Sequence, residues 1–209
     1  MIKNKKTPGL AVGSMTGTGP GGLGPREFAQ WYRDHEIEKW YELDLGVVEK
    51  IARVLEKAEK KGSQVFVFGN GGSAATASHL ATDWGKTAQR KGKKPLRCMS
   101  LNDNVPLMTA IANDLGYAEV FVRQLEGVLR RGDVVVIISG SGNSPSVVKA
   151  AQFAKKKGAL VIGMTGFSGG KLRRLASLCL HIDTDQYGVI EDLHMAAGSM
   201  LAFYLKQRK

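Results

Sequence analysis

The chain is short of several things, and each shortage excludes a class of protein. Only two cysteines occur, Cys98 and Cys179, without a CxxC partner or metal-ligand spacing, so neither a disulfide framework nor a cysteine-built metal site is expected. They are read as two buried, reduced thiols in apolar strand-like segments. No apolar run is long enough to span a bilayer, and the N-terminal lysines are not followed by an apolar core like that of a secretion signal; a cytoplasmic protein without membrane contact is expected. No GxxxxGK[ST] is present, and no GxGxxG with a ribose-binding acid downstream, so no nucleotide cofactor is expected.

Acidic residues are also scarce relative to basic ones, 19 against 30, for a formal charge of +11. Much of the excess sits in two runs, Lys86 to Arg97 and Lys155 to Lys157. A basic surface attracts nucleic acid and anionic metabolites alike, and a solvated basic face is the plainer reading. No RNP string or zinc finger accompanies it, so nucleic acid is not the expected partner.

What remains is an ordinary globular balance, 209 residues with 43% hydrophobic and 23% charged, enough for one domain with a full core. Residues 1–25 are rich in Gly, Thr, Pro and Ser and read as a flexible tail, with one domain over 26–209. Residues 27–61 turn helical: Val47, Val48, Ile51, Val54, Leu55 and Ala58 recur at three- and four-residue spacing. Trp31, Trp40 and Tyr41 give this N-terminal extension a second sticky surface, for its own domain or for another subunit.

After Gly62 the rhythm is strand, loop, helix. Apolar runs at Val65–Phe68, Val134–Ile138, Leu160–Met164 and Leu178–Ile182, with a weaker one at Leu96–Leu101, alternate with helical stretches over 74–84, 105–112, 118–130, 144–157, 170–176 and 189–207. Continuous apolar strands separated by helices predict an α/β fold whose parallel sheet is covered on both faces.

Two of these strands end in unusual loops. The first is Phe68-Gly69-Asn70-Gly71-Gly72-Ser73, leading into Ala74-Ala75-Thr76-Ala77. The second is Ile138-Ser139-Gly140-Ser141-Gly142-Asn143-Ser144, leading into Val147-Val148. Glycines let backbone approach an anion, free first-turn N–H groups and the helix dipole receive its charge, and serine hydroxyls add neutral donors. One such loop could be ordinary helix capping. Two of them predict a site for a phosphorylated sugar, held through Asn70, Gly71, Gly72, Ser73, Ser139, Gly140, Ser141 and Ser144.

These loops, with the blocks GNGGSAATASHLATDW, SLNDN, AIANDLGY, ISGSGNSPSVVKA, GMTGFSGGKL and YGVIEDLHM, resemble the sugar isomerase (SIS) domain family, in its phosphoheptose isomerase branch. The resemblance runs from Glu27 to Leu205. It implies a three-layer sandwich with a five-stranded parallel sheet flanked by helices, a homotetramer with sites between subunits, and conversion of sedoheptulose 7-phosphate to the aldoheptose 7-phosphate through an enediol. It places Ser73, Ser139, Ser141 and Ser144 on the phosphate and Asn70 on the sugar chain. The sequence departs from the branch at four slots: Asp83 stands for a glutamate, Glu191 for a glutamine, Ser199 for a histidine and Asn104 for a sugar-contacting aspartate.

Isomerisation needs a base at the carbon carrying the mobile proton and an acid for the carbonyl oxygen. Asp83 is the expected base, with Glu191 or His194, one turn on, as its partner. His79 and Asp83 lie four apart on one helix face; with Glu191 they offer three ligands and an open position, as a catalytic zinc requires, or they form a plain ion pair. His194 and Asp192 read equally as interface residues. His181 reads as structural, His35 lacks an acidic cluster pointing to catalysis, and Gly166–Gly170 reads as a turn at the pocket rim. The alternative function is a non-catalytic binding module, resembling the tetrameric family member that associates with the bacterial replication initiator; the missing histidine and the positive charge point that way.

Overall fold

The computed structural model describes residues 19–208. Most of the tail, residues 1–18, lies outside them. Helix α1 (Pro25–Tyr41) opens on a proline, whose missing N–H costs nothing in a first turn. Helix α2 (Leu45–Lys61) is capped by Asp44, which accepts from the Val47 amide at 3.0 Å, and ends on Gly62 at φ +68°.

Then follow β1 (Gln64–Gly69), α3 (Gly72–Thr82) with a π-helical turn over Asp83–Thr87, β2 (Arg97–Ser100), α4 (Val105–Leu115), α5 (Val122–Val128), β3 (Val134–Ser139), α6 (Pro145–Lys156), β4 (Leu160–Thr165), α7 (Gly170–Leu175), β5 (Leu178–His181) and α8 (Tyr187–Gln207). The expected helix over 118–130 is broken: a 3-10 turn at Tyr117–Glu119 precedes α5. The last helix starts two residues earlier than the apolar periodicity indicated, because Gln186 caps it through the Val189 amide.

All strand pairs are parallel, in the order β2-β1-β3-β4-β5. Alternate residues of the central strands face opposite layers. Val65, Val67, Val134 and Val136 pack with α2, α3 and α8; Phe66, Phe68, Val135 and Ile137 pack with α4, α5 and α6. This is the α/β three-layer sandwich with the expected five parallel strands. Chain order reverses between β1 and β3, and in open α/β sheets ligands bind at the carboxyl ends of strands at such a switch.

Candidate functional site

The two Gly/Ser loops leave those two strands side by side. Gly69 pairs with Ile138 in the β1–β3 register, so the N-termini of α3 and α6 open on one edge of the sheet. Gly69 has to be glycine: a Cβ there would collide with the Ile138 carbonyl and with Ser73. Its amide donates to the Asn102 side-chain oxygen (3.2 Å) and its carbonyl accepts from the Asn102 nitrogen (2.9 Å), so one carboxamide fixes the start of the first loop. The sequence reading passed over Asn102, which lies in a segment that reads as a plain strand end.

Asn70 ties the loops together. Its nitrogen donates to the Ser146 hydroxyl in the first turn of α6 (3.1 Å), and its oxygen accepts from the Tyr117 hydroxyl (2.9 Å). Both partners were missed, because they lie 76 and 47 residues away in the chain. Gly71 and Gly72 are exposed and Ser73 is buried at the opening of α3. Gly72 and Ser73 present first-turn N–H groups without an intrahelical acceptor.

The second loop is braced by the turn after β4. The Gly142 amide lies 3.2 Å from the Ser139 hydroxyl, the Gly166 amide donates to the Gly140 carbonyl (2.8 Å), and the Leu172 amide to the Gly142 carbonyl (2.9 Å). The Asn143 nitrogen donates to the Ser141 carbonyl, and its oxygen accepts from the Lys171 amide. Gly142, at φ +63°, abuts the Gly169 carbonyl so closely that no Cβ fits. Ser139 and Gly140 are buried, while Ser141 and Ser144 are part-exposed at the mouth. Residues 166–170 therefore brace the second loop.

Helix α8 closes the third side. A Cβ on Gly72 would collide with both carboxylate oxygens of Glu191, so this acid stands against the first turn of α3. Burial, then the neighbouring Asp192, raises the Glu191 carboxyl above its usual 4.5. Asp192 turns the other way and accepts from the Tyr32 hydroxyl of α1 at 2.6 Å. His35 of α1 meets the Thr184 hydroxyl at 2.8 Å, so α1 clamps the segment leading into α8. Tyr32 thus packs on its own domain, while Trp40 and Tyr41 stay exposed.

His79 and Asp83 do pair, Nε2 to Oδ2 at 3.2 Å, with His79 half-exposed. They lie toward the C-terminal end of α3 and just past it, His79 about 10 Å and Asp83 about 16 Å along the axis from Gly72 at 1.5 Å per residue. Glu191 therefore does not join them within one chain, and among the described residues no three His, Cys, Asp or Glu side chains cluster as metal ligands. The donor set a single chain offers does not fit zinc.

His194 requires a correction. It is fully buried on the sheet side of α8, with Nε2 3.3 Å from the Thr165 carbonyl, so it does not reach a ligand. Burial lowers it to about 4, leaving a neutral imidazole. The helical periodicity that put it one turn from Glu191 also turned it inward. Thr165 further contacts His181 Nδ1 (3.0 Å) and Cys179 (3.3 Å), consistent with a structural His181. Both cysteines are free but only part-buried by exposure, and desolvation pushes Cys98 up to about 12. Asn104 is exposed and caps α4, accepting from the Leu107 amide at 3.1 Å. Ser199 follows Gly198, whose carbonyl accepts from the Trp84 indole at 3.0 Å and whose Cα abuts Leu80; it lies level with the His79–Asp83 end of α3.

No helix among the described residues is long and apolar enough to cross a membrane. Comparison with known proteins agrees with this architecture. The SIS domain profile matches residues 34–166. A probable phosphoheptose isomerase of Thermoplasma volcanium is 41% identical over 159 residues, 76% of this chain and 81% of that protein. The phosphoheptose isomerase of Rhodospirillum rubrum is 40% identical over 154 residues, 74% and 81% of the two chains. Among solved structures, a phosphoheptose isomerase of Neisseria gonorrhoeae superposes with a TM-score of 0.81 at 26% identity, covering 88% of this chain and 99% of that one. The phosphoheptose isomerase of Francisella tularensis shares the fold with the same TM-score at 23% identity, covering 89% and 100%. The chain belongs to the SIS domain family, in its phosphoheptose isomerase branch.

Proposed function

We propose that the protein is an aldose–ketose isomerase of a phosphorylated seven-carbon sugar, converting sedoheptulose 7-phosphate to D-glycero-D-manno-heptose 7-phosphate through an enediol. The observation that carries this reading is the Gly69–Ile138 register pair, which sets two glycine- and serine-rich helix openings side by side with a carboxylate against one of them. First-turn amides of α3 and α6 and the hydroxyls of Ser73, Ser139, Ser141 and Ser144 offer neutral donors to a phosphate, and each helix dipole favours its charge.

Glu191 is a carboxylate that abuts the first of these loops, and we assign it the proton transfer. Isomerisation moves one proton from the carbon of the CH–OH group to the neighbouring carbonyl carbon, while the oxygens exchange O–H for C=O. A carboxyl raised above its ordinary range is a better general base than an exposed one, and it can also return the proton. Asp83 lies too far along α3 to share that carbon within one chain. It would serve a site completed by a second copy, which fits a homotetramer with sites between subunits. Exposed apolar side chains on α4 and just after it, Val105, Leu107, Leu115 and Tyr117, and Ile37, Trp40 and Tyr41 on α1, support such assembly.

NMR observation of sedoheptulose 7-phosphate with the purified protein, with and without zinc, tests the reading. Conversion that Glu191→Gln abolishes supports it. Binding without any conversion leaves the protein a phosphosugar binder, and the isomerase assignment falls. Asp83→Asn asks the separate question of the second carboxylate, its loss of activity implying a site shared between copies.

A further inference from the structure

Tyr187 and Glu191 are four residues apart at the start of α8 and so share one helix face. Each stands against a different loop. Glu191 abuts Gly72 of the first, and the Tyr187 ring lies over Gly140 of the second, with Cε1 3.3 Å from where a Gly140 Cβ would be. One turn of α8 thus presents an acid to one phosphate loop and an aromatic ring to the other. Tyr187 is 51% exposed, and its phenol hydroxyl has no hydrogen-bond partner among the described residues.

The ring is nonetheless held. Phe167 packs edge-on against it, centroids 4.7 Å apart at 64°. Phe167 is the one non-glycine residue among those described with positive φ, at +48°, a conformation that costs an L-residue stabilising energy. Its amide donates to the Thr184 carbonyl (2.8 Å), and the preceding Gly166 amide donates to the Gly140 carbonyl. Thr184 is in turn the residue that His35 of α1 contacts. Strain kept in place by bonds on both sides, beside a ligand loop, is the pattern of a positioned functional group.

We propose that Tyr187 is a substrate-contacting residue that recognises the carbon chain of the sugar phosphate, and that Phe167 positions it. The ring covers the C–H groups next to the phosphate held by residues 139–144, and the hydroxyl donates to a chain oxygen. This rests on the assignment of the two loops to a sugar phosphate, and it adds a determinant that reads the sugar rather than the phosphate.

Binding, measured by calorimetry, separates this from the catalytic reading. Tyr187→Phe, Tyr187→Ala and Phe167→Gly are titrated with sedoheptulose 7-phosphate and with inorganic phosphate, and each is melted without ligand. Loss of the hydroxyl is expected to weaken sugar-phosphate binding about fivefold, and loss of the ring about thirtyfold, with inorganic phosphate binding kept. Phe167→Gly accommodates the left-handed backbone, so it is expected to weaken sugar-phosphate binding about fivefold without lowering the melting temperature. In steady state, KM is expected to rise more than kcat falls. Wild-type affinity in a folded Tyr187→Ala overturns the proposal, as does an equal loss of inorganic phosphate and sugar phosphate, or a wild-type protein that binds no sugar phosphate. Binding that depends on Tyr187 in a protein without turnover sinks the isomerase reading and leaves this one standing.

Discussion

Glu191 and Gly72, 119 residues apart in sequence, meet where α8 passes the first turn of α3 at the carboxyl edge of the sheet: the missing side chain of Gly72 is the space the Glu191 carboxylate occupies. Gly72→Ala is therefore expected to displace the acid rather than break the fold, because Glu191 is a flexible side chain and can swing aside. Isomerase activity should fall about a hundredfold, since misplacing a reacting group by about an ångström has that cost, while the melting temperature shifts by only a few degrees. A steady-state assay alongside thermal denaturation checks both halves.

The raised Glu191 carboxyl gives a pH signature. Its folded form holds a proton at pH values where the unfolded chain has lost it, so its contribution to stability is full below pH 4.5 and is lost as pH rises through the raised value. The acid limb of kcat/KM should lie above the ordinary carboxylate range. Glu191→Gln should remove that limb together with the activity, and should flatten the stability profile over the same window. A rate profile identical in the variant would exclude Glu191 as the base.

His194 acts with the opposite sign. Its folded value, about 4, lies below the ordinary 6.5, so the unfolded chain binds the extra proton. Stability from this residue is present above pH 6.5 and is lost as pH falls toward 4, amounting to about 3 kcal/mol. Replacement by Gln removes the titration. The midpoint of acid unfolding should move to lower pH even if stability at neutral pH drops, and urea melts from pH 7 to pH 4.5 would reveal it.

Asn102 should matter more than its loop position suggests. Asn102→Ala leaves the Gly69 amide and carbonyl without their side-chain partners, at about 1–3 kcal/mol for a buried polar group. Because Gly69 begins the first of the two loops proposed to hold the phosphate, inorganic phosphate binding should weaken together with stability. Chemical denaturation and phosphate titration of the same variant would show whether the two losses track.

The sequence by itself determined the layers and the loops. Uninterrupted Val and Ile in the Val134–Ile138 run read as a strand buried on both faces, and Gly71-Gly72-Ser73 and Ser139-Gly140-Ser141 read as helix openings fit for an anion, since both signals reside in consecutive residues. Spacing also put Glu191 and His194 on one helix, and His79 beside Asp83, while Tyr187 joined that helix only in the structure. Only the tertiary structure decided how these groups relate in space. It turned His194 onto the sheet and Glu191 onto Gly72, because which part of a helix face meets the core depends on how the helix docks. It placed Glu191 against the first turn of α3 and Asp83 past its last, a separation that no local pattern encodes. Asn102, Ser146 and Tyr117 became part of the site only through bonds spanning 33, 76 and 47 residues, which form when strands pair and cannot be read from neighbours in the chain.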